Sequence, residues 1–345
     1  MKVYILPTDN IMTTAYYYSL LQDIFEAAGL NVIMCKGESL KGVHPDKKHD
    51  VIVVGNAYPA VKLWLRGFKN ICTWYQGVVP EERRMQGCSL FKVWLHTLVE
   101  KKSLSVTKFF FLVSESLKKH YQNKYGVKID TSCCALIPCF NEQRAFSNCF
   151  LQGTKKPFSF VYSGGLGVWQ CFDKTLDVFK EIKSTIPTAT LDIYTYQVDK
   201  AKSTVELNGI KDVEVRYVPK EEMNNALSDK MFGFVLRDDN IVNRVATPTK
   251  FSNYIANGII PIFSSCVEDF AMASHAMKYS IPIKFFSVKD IAEKVILSAK
   301  SIVETYDCEE HKRECDKIFA TYYSEERYIK ETSKKIKVLF NGNER

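Results

Sequence analysis

The sequence has no apolar run near the ~18–20 residues that a membrane-spanning helix needs, no Cys-x-x-Cys pair, no internal repeat and no low-complexity tract. Each absence excludes a class of protein. Without a long apolar run, a helical membrane span is not expected. The opening residues, MKVYILPTD, lack a long apolar stretch followed by a small-residue cleavage site, so they read as a first strand and not as a signal peptide. A cytoplasmic protein is the expectation. Eleven cysteines, at 35, 72, 88, 133, 134, 139, 149, 171, 266, 308 and 315, are odd in number and scattered among apolar neighbours. That pattern fits buried thiols and not a disulfide framework. Cys308, His311 and Cys315 would share one helix face, but a zinc site needs a fourth ligand that the neighbourhood does not offer. None of the six histidines (44, 49, 96, 120, 275, 311) falls in a catalytic motif, and no aromatic-basic module for nucleic acid is present.

What is there describes a globular chain. Its 345 residues, 46% apolar and 25% charged, suffice for two domains with separate cores. The formal net charge of +8 is unevenly spread: residues 1–150 hold 19 Lys and Arg against 12 Asp and Glu. A basic first half points to an anionic partner on that side, whether membrane lipid, a lipid-diphosphate acceptor or nucleic acid, or else to no more than a solvated surface.

Apolar runs alternate with helical stretches along the whole chain. In the first half the strands are 3–6, 31–35, 50–55, 71–77, 108–113 and 133–138. Helices are expected at 14–28, 88–102 and 114–126, the last opened by Ser114 as N-cap. The polar stretch 141–157 is the best linker candidate. A second alternation follows: strands 158–165, 191–196, 212–219, 233–236, 259–263 and 281–286, with helices at 172–185, 220–229, 267–278 and 288–305. A last helical stretch covers 308–338. Strands that are continuous apolar runs between helices indicate parallel sheets covered on both faces.

The most informative segment is 233–262. A strand runs into a polar loop holding Arg237, Asp238, Asp239, Asn240, Asn243 and Arg244. Thr247-Pro248-Thr249-Lys250 then reads as a helix start, with Thr247 as hydroxyl N-cap and proline at the first helical position. Phe251, Tyr254 and Ile255 mark one helix face, and Asn257-Gly258 marks the stop. A helix N-terminus after a strand, flanked by Arg and Lys, suits a phosphate or diphosphate. By local pattern it is equally an ordinary β-loop-α-β unit.

This segment resembles the donor-binding segment of family 4 glycosyltransferases of GT-B fold, especially those of bacterial polysaccharide assembly. The resemblance is carried by Asn243-Arg244-Val245-Ala246-Thr247-Pro248-Thr249-Lys250-Phe251, then Tyr254, Ala256, Gly258 and Pro261. The family's glutamate for the donor ribose falls on Asn253, and its first glutamate on Val245. Weaker likeness runs through Val113–Lys119 and Ile137–Asn141. The loop Tyr162-Ser163-Gly164-Gly165-Leu166-Gly167 is similar to the family's glycine loop, whose backbone approaches the donor phosphates. There the family's arginine falls on Gly165 and its lysine on Gln170, so the usual cationic pair is missing.

The resemblance implies an α/β chain of two doubly wound Rossmann-like domains facing across a cleft: 1–150 for the acceptor, 158–307 for the nucleotide sugar, and 308–345 crossing back to the first domain. Donor-site candidates are Gly164, Gly165, Leu166, Trp169, Val218, Arg237, Thr249, Lys250 and Asn253. Trp169 either stacks on a base or ribose or is core; Arg237 either meets the diphosphate or pairs with Asp238 or Asp239. Candidates for the chemistry are Asp238, Asp239, Arg244 and Lys250, with cations steadying the leaving diphosphate. Acceptor candidates are Asp9, Asn10 and Thr13 after the first strand and the stretch from Tyr75 to Glu82, within it Gln76, Gly77 and Glu81. Segment 88–102, mixing Trp, Phe and Leu with Lys, either lies on an anionic membrane surface or packs between domains.

The expected activity is transfer of a sugar, with retention, from a nucleotide sugar (a UDP-sugar favoured) to a lipid-linked or oligosaccharide hydroxyl in O-antigen, capsule or exopolysaccharide assembly. No metal, no cofactor and no nucleic-acid partner are expected, with possible peripheral contact at the inner membrane face. The alternatives are a GT-B UDP-sugar epimerase and a non-catalytic polysaccharide- or partner-binding member.

Overall fold

A computed structural model of the chain describes residues 1–7, 11–284 and 287–341, with only the backbone of 11–15 and 341. The chain divides into two compact units. The first comprises Met1–Cys139, Val245–Thr247 and Ser324–Arg345; the second comprises Phe140–Arg244 and Pro248–Tyr323.

The first unit runs β1 (Lys2–Leu6), α1 (Ile11–Ala27), β2 (Asn31–Met34), β3 (Val51–Val54), α2 (Ala57–Leu65), β4 (Asn70–Tyr75), α3 (Val79–Met85), α4 (Leu90–Val106), β5 (Thr107–Leu112), α5 (Glu115–Tyr125) and β6 (Cys134–Leu136). Its sheet is all parallel, in the order β2-β1-β3-β4-β5-β6. All four residues of β3 are buried, as expected of a central strand covered on both faces. Ser114 caps α5 as the sequence suggests, its Oγ accepting from the Leu117 amide at 2.9 Å.

The second unit runs β7 (Ser159–Ser163), α6 (Phe172–Thr185), β8 (Thr190–Tyr194), α7 (Val198–Asn208), β9 (Val213–Arg216), α8 (Lys220–Leu227), β10 (Phe232–Val235), α9 (Ile241–Arg244), α10 (Lys250–Ala256), β11 (Ile260–Ser264), α11 (Glu268–Ala273), β12 (Ile281–Ile283), α12 (Val288–Thr305) and α13 (Cys308–Thr321). Its parallel sheet has the order β12-β11-β10-β7-β8-β9. The expected strand end at 285–286 lies outside the described residues. Phe160 stacks between Phe232 and Phe234 at 5.2 and 5.5 Å, tying β7 to β10. On α12, Ile291, Ala292, Val295, Ile296 and Ala299 form one buried stripe against α6.

Two expectations need correction. The stretch 308–338 is not one helix: α13 ends at Thr321 and α14 (Glu325–Asn341) starts afresh. Ser324 supplies the new cap, its Oγ accepting from the Arg327 amide at 3.4 Å. From there α14 packs on α1, where the Tyr16 hydroxyl donates to Glu325 at 2.6 Å. The stretch 141–157 is not a free linker either. Cys149 and Phe150 are buried. Lys155, also buried, donates from Nζ to the carbonyls of Ser228 (2.8 Å) and Asn257. It thereby satisfies a carbonyl that the end of α10 leaves without a helical partner.

Candidate functional site

Doubly wound sheets bind ligands beyond the carboxyl ends of their strands, at the point where strand order reverses. In the second unit that point lies between β7 and β10, which are hydrogen-bonded neighbours. The loops leaving these two strands are the glycine loop 164–167 and the polar loop 236–240.

Gly164 has φ +134°, and a Cβ there would stand 3.2 Å from Lys250 Cε. Only glycine combines that backbone with so close an approach. The Tyr162 hydroxyl donates to the Gly165 carbonyl at 2.6 Å, and the Leu166 amide donates to Gln197 at 2.8 Å, so the loop is held from both sides. Trp169 is half-buried in a short 3-10 turn at Val168–Gln170.

Lys250 opens α10 and is buried. Its Nζ donates to Gln170 Oε1 at 3.1 Å and sits 4.2 Å from the Tyr162 ring centroid. Burial first, and the charge of Arg237 second, hold its ammonium well below the usual lysine range. Arg237, at the end of β10, is likewise buried, and burial lowers its pKa. Its amide donates to Ser264 at 2.8 Å, while Nε has no hydrogen-bond partner among the described residues.

The pairing with Asp238 or Asp239, one reading of Arg237, does not occur. Asp238 pairs with Lys174 instead, and Asp239 takes Arg244 in a two-point contact of 2.6 and 3.0 Å. The two buried cations, Lys250 and Arg237, therefore have no carboxylate partner among the described residues. Uncompensated buried charge is costly.

Thr247 is not the N-cap of α10. Thr249 occupies that position without a side-chain cap bond. The Thr247 hydroxyl instead accepts from the Cys139 amide at 3.0 Å, within the first unit. A long-range backbone donor thus outcompetes the local cap. The stop at Asn257-Gly258 stands as expected, with Gly258 at φ +58°. Asn253, on α10, leaves its Oδ1 buried without a hydrogen-bond partner among the described residues. Val218 is buried just beyond β9. Beside Arg237, a cavity of about 280 Å³ is lined by Asp239, Arg244, Ser264, Ser265 and Glu268 among others. The Ser265 hydroxyl there has no partner among the described residues.

The first unit carries its own cavity, of about 360 Å³, at the carboxyl ends of β3 and β4. Gln76 and Gly77 line it, as do Asn56, Trp74, Glu82 and Tyr121. Glu81 does not. The turn of α3 sends Glu81 to Lys124 at 2.7 Å and His120 at 3.3 Å, while Glu82 folds back to accept from the Val78 amide at 3.2 Å. Burial raises the pKa of Glu82. Asp9 and Asn10 lie outside the described residues, as does the side chain of Thr13.

Sequence reasoning missed Gln170 and Tyr162 as the partners of Lys250, and Glu100, which lines the first unit's cavity beside Glu82; all three contacts depend on tertiary packing that leaves no local signal. Among the described residues no group of three His, Cys, Asp or Glu is placed to hold a metal ion. No helix there is long and apolar enough to cross a membrane.

Compared by sequence, the chain matches no family model and no curated protein. Compared by structure, it is similar to TarM of S. aureus, solved with UDP, fondaparinux and α-GlcNAc-glycerol (TM-score 0.63, 12% identity). That match covers 85% of this chain and 55% of TarM, so the chain spans little more than half of that protein. It is similar over nearly its whole length to WaaG, a glycosyltransferase of lipopolysaccharide biosynthesis (TM-score 0.62, 11% identity, 99% and 100% covered). The same holds for a glycosyltransferase of avilamycin A biosynthesis (TM-score 0.60, 8% identity, 99% and 98% covered). The fold is that of these enzymes: two Rossmann-like α/β domains of the GT-B type, each built on a six-stranded parallel sheet.

Proposed function

We propose that the chain is a glycosyltransferase that moves a sugar from a nucleoside-diphosphate sugar, a UDP-sugar favoured, to a hydroxyl of a lipid-linked or oligosaccharide acceptor in surface-polysaccharide assembly. The carrying observation is the pair of buried cations without carboxylate partners, Lys250 and Arg237, at the strand-order reversal beside the Gly164 loop. A diphosphate between them would supply the missing negative charge. As the glycosidic bond to the donor breaks, the same two cations would stabilise charge growing on the leaving phosphate. This is transfer without a protein nucleophile, with retention, in which a metal ion has no role. Asn253 would take a ribose hydroxyl, and the cavity lined by Gln76, Gly77 and Glu82 would take the acceptor. A similar structure, the pneumococcal O-GlcNAc transferase GtfA, holds UDP and GlcNAc, which supports this donor class.

One observation favours a second reading, a binding protein without turnover: Asp238 and Asp239 are both engaged in ion pairs. Thermal-shift titration with UDP, GDP, CMP and their sugars, beside Lys250→Met, tests the site. Stabilisation by one nucleotide class that vanishes in the variant is expected. Release of free nucleotide from the stabilising sugar nucleotide on addition of an acceptor glycan separates transfer from binding alone.

A further inference from the structure

Helix α4 packs on α2 and α3 with Glu100, Ser103 and Leu104 turned inward. Its other face is bare. Leu90 (76% exposed), Phe91 (67%), Trp94 (54%), Leu95 (42%) and Leu98 (44%) form one stripe along the first half of the helix. Phe91 and Trp94 stack on each other at 5.9 Å and on nothing else among the described residues. Such a run of large apolar side chains is unusual on a free surface.

The surroundings are basic. Lys101 lies seven residues after Trp94, on the same helical face, and Lys92 lies on the flank. Lys62 on α2, Arg66 just after it, and Arg83 and Arg84 on α3 are all exposed. None of these six cations is in an ion pair with a carboxylate among the described residues. The nearby acids Glu81 and Glu100 both pair with Lys124. An apolar stripe rimmed by unpaired cations is complementary to one kind of surface: apolar chains beneath negatively charged head groups.

We propose that this face of the first unit docks on anionic lipid, with Phe91, Trp94, Leu95 and Leu98 entering the acyl boundary and the rim cations meeting the head groups. The docking does not depend on the transferase reading, since it needs neither donor nor turnover.

Vesicle flotation of the full chain tests it, with phosphatidylcholine vesicles beside vesicles containing phosphatidylglycerol. Recovery with the phosphatidylglycerol vesicles is expected, and it should fall as salt rises. Phe91→Ser with Trp94→Ser should lower the bound fraction on the order of tenfold, and Lys92→Glu with Lys101→Glu by a similar factor. Circular dichroism and thermal melting of each variant should match wild type, because the side chains are exposed. No recovery with either vesicle, or recovery unaffected by both pairs of substitutions, would overturn the proposal. So would light scattering that shows a dimer which Phe91→Ser with Trp94→Ser converts to monomer, since the stripe would then belong to a second copy of the chain.

Discussion

Lys250 on α10 donates to the side-chain oxygen of Gln170 at 3.1 Å, across 80 residues of sequence. Gln170 is where the resemblance to family 4 transferases would place a lysine. A lysine ammonium thus reaches the Gln170 side chain from α10 and not from the glycine loop.

A buried ammonium without a counter-charge burdens the empty protein. Lys250→Met keeps the length of the side chain and removes the charge. We expect the ligand-free variant to melt at a temperature equal to or above wild type, by the equivalent of up to ~2 kcal/mol. Differential scanning calorimetry reads this directly; a clear loss of stability would show that the lysine is structural.

Gly164→Ala should have the opposite effect on the same site. The new methyl would meet Lys250 Cε at 3.2 Å on a backbone with φ +134°. The expected cost is ~1–3 kcal/mol of stability, together with weaker nucleotide binding. Urea unfolding measures the first and titration calorimetry the second.

His311 is fully buried against Phe150, Tyr279 and Tyr306, with Nε2 unpartnered among the described residues. Burial, and then the charge of Lys155, push its pKa down to about 3 from the usual 6.5. Below 6.5 the unfolded chain takes up a proton that the folded chain refuses, so stability falls as pH drops from about 6.5 toward 3. The slope from this residue approaches ~1.4 kcal/mol per pH unit. His311→Phe should flatten the difference between denaturation midpoints at neutral and acid pH.

Lys155 holds the carbonyls of Ser228 and Asn257. Lys155→Met leaves two buried acceptors unsatisfied and should cost ~2–4 kcal/mol. Its pKa is pushed down to about 8, burial being the main cause. Between about 8 and 10.5 the unfolded chain binds the extra proton, so wild-type stability should rise with pH across that window. Melting of wild type and variant through the window checks the sign.

Much of the fold was legible because strands buried on both faces are continuous apolar runs, as in β3, β7 and β11. Caps that act locally were legible too, such as Ser114 and Gly258. Helix α7 was missed because only Ala201 and Val205 of its eleven residues are buried, leaving too little apolar period to read. Thr247 was misread because its hydroxyl serves Cys139, a partner 108 residues away. In the candidate site, the residue types and the Gly164 loop were visible. That Arg237 is buried without a carboxylate was not, because Asp238 and Asp239 stand next to it in sequence and their ion pairs with Lys174 and Arg244 are set by tertiary packing.

In the proposed function Lys250 and Arg237 together hold the diphosphate of the donor. Titration calorimetry with UDP near the upper end of the neutral pH range, run in two buffers of different ionisation enthalpy, tests it most directly. Bound phosphate should raise the depressed pKa of Lys250, so binding accompanied by proton uptake is expected, with both lost in Lys250→Met. UDP binding of equal strength in wild type and Lys250→Met would contradict it.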